Sequence, residues 1–163
     1  MILVFDSAPL IYFGKTKLLE KIAKINFKLV VPKSVYREVI EIGIERGFEE
    51  SIYVKEIVDR SFEIKSAKNQ STKFGGLETA DMETLEIAKE IKGTAVTDDQ
   101  KMRNMASIEK IDNVGSVFII FLLLKEKIIK KQDAIEAINK MIESGWYCST
   151  DFYSVILSKL NEM

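Results

Sequence analysis

The chain opens on four consecutive apolar residues, Ile2-Leu3-Val4-Phe5, closed by Asp6 and a Ser-Ala-Pro step. An unbroken apolar run of this length suits a strand buried on both faces. Comparable runs are Lys28-Leu-Val-Val-Pro32, stopped by proline, Thr94-Ala-Val-Thr97, and a short one near Asn113-Val114. Between them, apolar positions recur at helical spacing. Ser7 is placed to cap a first helix, with Pro9 in its first turn. Leu18, Leu19, Ile22 and Ala23 predict a second. Ser34 to Glu45 reads as a helix with Val35, Val39 and Ile42 on one stripe, weakened at its end by Gly43 and Gly47. Glu78 to Ile91 is a helix ended by Gly93. Lys101 to Ile108 is another, and a further helix opens near Gly115-Ser116 and holds the apolar run Val117–Leu124. Two tail helices, Lys131–Ser144 and Ser149–Leu160, flank Gly145-Trp146-Tyr147. Phe48 to Ile64 admits two readings, since Ile52, Val54, Ile57 and Val58 fit a helix while Ser61 to Lys65 alternates like a strand. Ser66 to Gly76 is a loop by composition. Strands alternating with helices predict an α/β chain with a parallel sheet covered on both faces.

Acidic residues stand at four stations in this pattern. Asp6 and the pair Asp98-Asp99 each follow a buried strand, so parallel strands would bring them to one sheet edge. Glu38 shares a helix side with Val35, Val39 and Ile42. Asp81 extends the row of Leu85, Ala88 and Ile91 one turn toward the helix start. Each has a plainer reading: helix caps for Asp6, Asp98 and Asp99, a rim glutamate for Glu38, and a first-turn acid favoured by the helix dipole for Asp81. Glu78 and Glu83 suit that dipole role better than Asp81 does. Carboxylates sent together toward a core are costly unless neutralised, and a divalent cation neutralises them most simply. Oxygen donors without His or Cys select hard ions, Mg²⁺ or Mn²⁺, which activate water and clamp a phosphodiester.

Composition narrows the chemistry further. The chain of 163 residues suits one domain, with 131–163 as a helical extension packed on it. Histidine is absent, which excludes His-based acid–base catalysis, Ser-His-Asp triads and His-ligated zinc. The single cysteine, Cys148, excludes an internal disulfide and a multi-Cys zinc site. The formal net charge is −1, so there is no overall basic footprint for nucleic acid. Any polyanion contact falls to local lysines and arginines. No signal peptide is visible, and the run Val117–Leu124 is too short to span a bilayer. A cytoplasmic protein that does not engage the membrane is the expectation.

At these same residues the sequence resembles the PIN-domain nucleases, the group of stand-alone prokaryotic proteins and VapC-type toxins. "VFDSAPLIYFGK" is similar to the family's strand–Asp–Ser/Thr start. "VVPKSVYREVI" resembles its P-x-x-V-x-x-E helix and points to Glu38. "LETADMETLEIAKE" is similar to the segment of the third acid, placed at Asp81 with Glu78 and Glu83 as alternatives. "AVTDDQKMR" resembles the threonine–x–Asp turn, placing the fourth acid at Asp99 with Asp98 beside it. "ESGWYCSTDFYSVIL" looks like the ending of a subgroup whose tail packs as an extra helical unit. The likeness runs from Met1 to about Leu157.

That resemblance implies a three-layer α/β/α sandwich and a metal-dependent endoribonuclease acting on single-stranded RNA. Asp6, Glu38, Asp81 and Asp99 would be its catalytic acids and Mg²⁺ or Mn²⁺ ligands, with Asp98 a further ligand. Ser7, Thr97, Lys101 and Arg103 would support the substrate, and Lys73 would add positive charge. It also implies an antitoxin partner if the chain is a toxin, and a homodimer or higher oligomer. The competing class is a non-catalytic PIN-like module that binds RNA or protein. A phospho-acceptor receiver domain fits less well, because the paired acids come late in the chain.

Overall fold

Both faces of the central sheet are buried, and the alternation along its three middle strands shows it. The computed structural model describes residues 1–69 and 75–163. The strands are β1 (Ile2–Phe5), β2 (Lys28–Pro32), β3 (Glu63–Lys65), β4 (Thr94–Val96) and β5 (Asn113–Val114). They lie in the order β3-β2-β1-β4-β5, and every pairing is parallel. Leu3, Phe5, Leu29, Val31 and Val96 enter one core cluster, and their neighbours Val4, Val30 and Ala95 enter the other. This is the two-residue period of a strand with both sides covered, and it explains the unbroken apolar runs.

The helices divide between those faces. With the Leu3–Phe5 side pack α1 (Ser7–Lys15), α2 (Leu19–Ile22), α3 (33–45), α4 (Glu49–Ser61), α7 (Ser116–Lys125), α8 (Lys131–Glu143) and α9 (Thr150–Glu162). The Val4–Val30 side is covered by α5 (Thr79–Glu90) through Leu85, Ile87 and Ala88, and by α6 (Gln100–Ile108) through Met102 and Ala106. The result is an α/β/α sandwich. Ala134, Ile138, Met141, Ile156 and Leu160 of the last two helices belong to the same cluster as Leu3 and Phe5. The segment Phe48–Ile64 contains both elements its pattern suggested, α4 and then β3.

The helix α3 differs from expectation in its winding. It runs from Lys33–Tyr36 through a π-helical stretch, Arg37–Ile42, to Gly43–Glu45. In that stretch the Val39 carbonyl accepts the Ser51 hydroxyl from α4 at 2.8 Å. A Cβ on Gly43 would stand 2.0 Å from the Ser51 oxygen. Gly43 therefore permits close packing of α4 rather than weakening the helix end.

Six helix ends among the described residues follow one scheme. Lys17, Lys92, Lys110 and Lys127 all take positive φ, as do Gly47 and Gly145. In each case the next residue's N–H reaches back to a carbonyl five residues earlier: Leu18 to Phe13, Phe48 to Gly43, Gly93 to Ala88, Ile111 to Ala106, Ile128 to Leu123 and Trp146 to Met141. These are Schellman caps, and Leu18, Ile111 and Trp146 plug the last turn as buried residues, with Ile128 half-buried in the same position.

Candidate acidic site

Sheet order places the site. β2 and β3 lie on one side of β1, while β4 and β5 lie on the other. Between β1 and β4 the connections diverge, and such a switch point leaves a crevice outside the carboxyl ends of the strands. Asp6 follows β1 and Asp98-Asp99 follow β4, so the parallel register sets them on that edge.

Asp6 is 3% exposed and is fully engaged. One oxygen accepts the Ser7 N–H at 2.7 Å, which makes Asp6, not Ser7, the cap of α1. The other accepts the Thr97 hydroxyl at 2.9 Å. Burial pushes the Asp6 carboxyl up to about 7. The bonds from Ser7 and Thr97 oppose that shift, and the charges of Asp81 and Glu38 add to it.

The other three acids approach from separate helices. Glu38, in the π-helical stretch of α3, accepts the Ser7 hydroxyl at 3.1 Å. Asp81, in the first turn of α5, titrates above its ordinary value, first through burial and then through the charges of Asp99, Glu78 and Glu38. Asp99 caps α6 by accepting the Met102 N–H at 2.8 Å. Its own N–H donates to Thr97 Oγ1 at 3.2 Å, so one buried threonine ties the Asp6 carboxylate to the Asp99 backbone. Asp6, Glu38, Asp81 and Asp99 thus form one field of mutual repulsion.

The remaining candidates are placed differently. Asp98 turns toward α7 and the tail, accepting Ser116 N–H at 2.7 Å, Ser116 Oγ at 2.6 Å and the Trp146 indole N–H at 3.2 Å. It caps α7, whose own N-cap Gly115 has no side chain, and both of its oxygens are engaged there. Glu83 accepts the N–H and hydroxyl of Ser34 and the N–H of Ala67, so it staples α5 to the start of α3. Glu78 stands at the N-cap of α5 and contributes charge to Asp81. Among Glu78, Asp81 and Glu83, Asp81 is the one half-buried against the other acids. Arg103 is held by Asn113, its Nε donating at 3.3 Å, and Lys101 donates to the Gly76 carbonyl. Lys73 lies outside the described residues.

The donor chemistry fits a hard divalent cation. All donors are oxygens, and the two shifted carboxyls are those an added positive charge would relieve. As the side chains stand, no group of three or more acids among the described residues closes to ion-holding distance. Thr97 was read as a supporting residue of the site, but sequence reasoning missed its bond from the Asp99 backbone, the Asp98–Trp146 contact and the Arg103–Asn113 contact. The cap reading of the pair rested on its place between a strand and a helix, which fits Asp99 at α6, while Asp98 caps the later helix α7.

A family model described as DUF3368: PIN domain matches residues 2–162. No curated protein matches the sequence. Among solved structures, the chain is similar to a PilT N-terminus domain protein of the hyperthermophilic archaeon Sulfolobus solfataricus, at 19% identity and a TM-score of 0.58, over 76% of this chain and 94% of that one. It is also similar to VapBC-1 of nontypeable Haemophilus influenzae, at 19% identity and a TM-score of 0.54, over 71% and 98%. VapBC2 of Rickettsia felis, solved with a DNA fragment from its promoter, matches at 16% identity and a TM-score of 0.50, over 71% and 98%. At these identities the structural likenesses establish the fold. Among the described residues, no helix is long and apolar enough to cross a membrane.

Proposed function

Because the chain belongs to the DUF3368 family of PIN domains, we propose that it is a nuclease, hydrolysing phosphodiester bonds of single-stranded RNA with Mg²⁺ or Mn²⁺. Asp6, Glu38, Asp81 and Asp99 would hold the ion. One observation carries this reading: Asp6 is buried at the sheet's switch point, tied through Thr97 to the Asp99 backbone, while the neighbouring Ser7 hydroxyl holds Glu38 beside it. When bound, the ion supplies Lewis-acid polarisation of the phosphodiester and lowers the pKa of water.

The chain's own residues position and shape that chemistry. Thr97 fixes one Asp6 oxygen and the Asp99 backbone together, so the two strand-end acids keep a set separation. Ser7 orients Glu38 from the other side. The Arg103 guanidinium, steadied by Asn113, offers a planar donor to a phosphate near Asp99. Loss of EDTA-sensitive RNA cleavage in purified Asp6→Asn and Asp99→Asn, with both variants folded, is the expected result. Unchanged cleavage in both would leave a binding module.

The VapBC neighbours support an antitoxin partner, and hence a toxin of a toxin–antitoxin pair. A small reading frame beside this gene, whose product co-purifies with the chain, is the expected finding. Self-association of the PIN domain is part of the same reading, with light scattering as its check.

A further inference from the structure

Beyond Asp99 from the other acids lies a groove of ≈ 830 Å³, bounded by α1, the start of α6, α7, the Gly145–Tyr147 turn and α9. Its walls are unusually aromatic: Tyr12, Phe118, Phe121, Trp146, Tyr147 and Phe152. Tyr147, Phe152 and Phe118 are 86%, 44% and 42% exposed, a concentration of bare rings that a soluble protein keeps for an occupant. Trp146 is buried behind them. Its indole N–H is anchored on Asp98, and its ring centroid lies 6.4 Å from that of Phe152 with the planes tilted by 51°.

Two further features identify the occupant. Asp98 and Asp99 line the groove where β4 ends, and β4 pairs with β1, which carries Asp6, so the groove borders the acidic site. Arg103 and Lys159 add cations to its lining. Rings that offer π-faces beside fixed positive charge are how proteins hold single-stranded nucleic acid. A protein segment would need neither the cations nor the junction with Asp99.

We propose that this groove is a base-stacking subsite, taking the nucleobase next to the scissile phosphate of a single-stranded RNA. It rests on the nuclease reading of the acids. Phe152, Phe118 and Tyr147 provide the stacking surfaces, and Arg103 and Lys159 meet the flanking phosphates. The subsite makes affinity depend on the presence of a base without selecting which base, because every base has a π-face.

Trp146 is the only tryptophan in the chain, so its fluorescence reports on the groove alone. The full chain in EDTA is titrated with a single-stranded hexaribonucleotide and with an abasic hexamer of the same backbone. The base-bearing oligomer should quench Trp146 and bind about 5- to 150-fold more tightly, the range expected for one stacked base. Phe152→Ala and, separately, Tyr147→Ala should shrink that preference while leaving the circular dichroism spectrum unchanged. Equal affinity for the two oligomers, no binding of either, or a preference untouched by Phe152→Ala overturns the proposal. So does a Phe152→Ala chain that merely loses self-association in light scattering, which would make the groove a face between copies. The EDTA condition separates this test from the cleavage reading. Base preference without metal-dependent cleavage would sink the nuclease and keep the subsite, and cleavage without base preference would do the reverse.

Discussion

Asp6 gives one oxygen to the start of α1 and the other to Thr97, at a place water barely reaches. Its carboxyl moves from an ordinary 3.8 to about 7, so the folded state holds the proton more tightly than the unfolded chain does. Below about pH 4 both states carry the proton and nothing is lost; above about pH 7 the folded state bears an ionised buried group, at a cost on the order of 4 kcal/mol. Asp6→Asn keeps the acceptor for Ser7, and the Thr97 hydroxyl can turn to the Met102 sulfur 3.4 Å away. In EDTA, Asp6→Asn should therefore be the more stable protein at pH 8, with the advantage fading toward pH 4 in urea unfolding. Added Mg²⁺ or Mn²⁺ should stabilise the native sequence and not the variant. A variant less stable than the native protein at pH 8 would contradict the burial argument. The third segment offers a paired contrast. Glu83→Ala strands the Ser34 and Ala67 donors and should cost about 1–3 kcal/mol, whereas Asp81→Asn should leave stability level or higher and remove cleavage. Those two residues are two positions apart in sequence, and their spacing alone does not say which faces the acids and which faces Ser34. In the Asp98-Asp99 pair the resemblance places the fourth acid at Asp99, but that Asp98 would cap a later helix was not legible, because its partners Ser116 and Trp146 lie far along the chain.

Elements were legible wherever one periodicity dominated, and less so where neighbours decide. The apolar runs are β1, β2 and β4, because strands covered on both faces carry apolar side chains at successive positions, whereas β5 is the half-buried edge pair Asn113–Val114. β3 has an exposed Glu63 and Ile64 at the sheet edge, so its signal stayed mixed with that of α4. Winding of α3 into a π stretch has no local cue, since the Ser51 hydroxyl that meets its Val39 carbonyl belongs to another helix. Helix ends are the instructive case. Glycine was the signal sought, yet Lys17, Lys92, Lys110 and Lys127 occupy the left-handed positions. Gly93 instead lets the chain pass under β1, where a Cβ would stand 3.3 Å from the Ile2 carbonyl oxygen. A left-handed lysine costs about 1–2 kcal/mol, and glycine's extra unfolded-state freedom takes back roughly 0.5–1 kcal/mol. Lys110→Gly and Lys127→Gly should each stabilise the protein by about 0.5–1 kcal/mol, read as a higher urea midpoint. A lower midpoint in both would mean the lysine side chains contribute more than their backbones cost.

At the scale of the whole molecule, the position of the acids follows from sheet order, and sheet order follows from which faces the helices cover. Parallel pairing of β1 with both β2 and β4 makes β1 central, and Asp6 inherits the one place where the crevice opens. The tail helices complete that arrangement rather than decorate it. Asp98 links the end of β4 to the start of α7 and, through Trp146, to the turn before α9. Ile156 and Leu160 of α9 are buried in the cluster that also holds Leu3 and Phe5 beneath the acids. We therefore expect residues 131–163 to unfold with the sheet. Leu160→Ala should cost roughly 2–5 kcal/mol through the cavity it leaves, a large share of the ~5–15 kcal/mol that holds a domain together. Unfolding followed by far-ultraviolet circular dichroism and by Trp146 fluorescence should give one coincident transition, at a lower denaturant concentration than in the native sequence. An early Trp146 transition in Leu160→Ala, with the bulk of the helix signal intact, would instead make the tail a unit that melts by itself. The acids would then sit on a sheet whose stability owes nothing to α9.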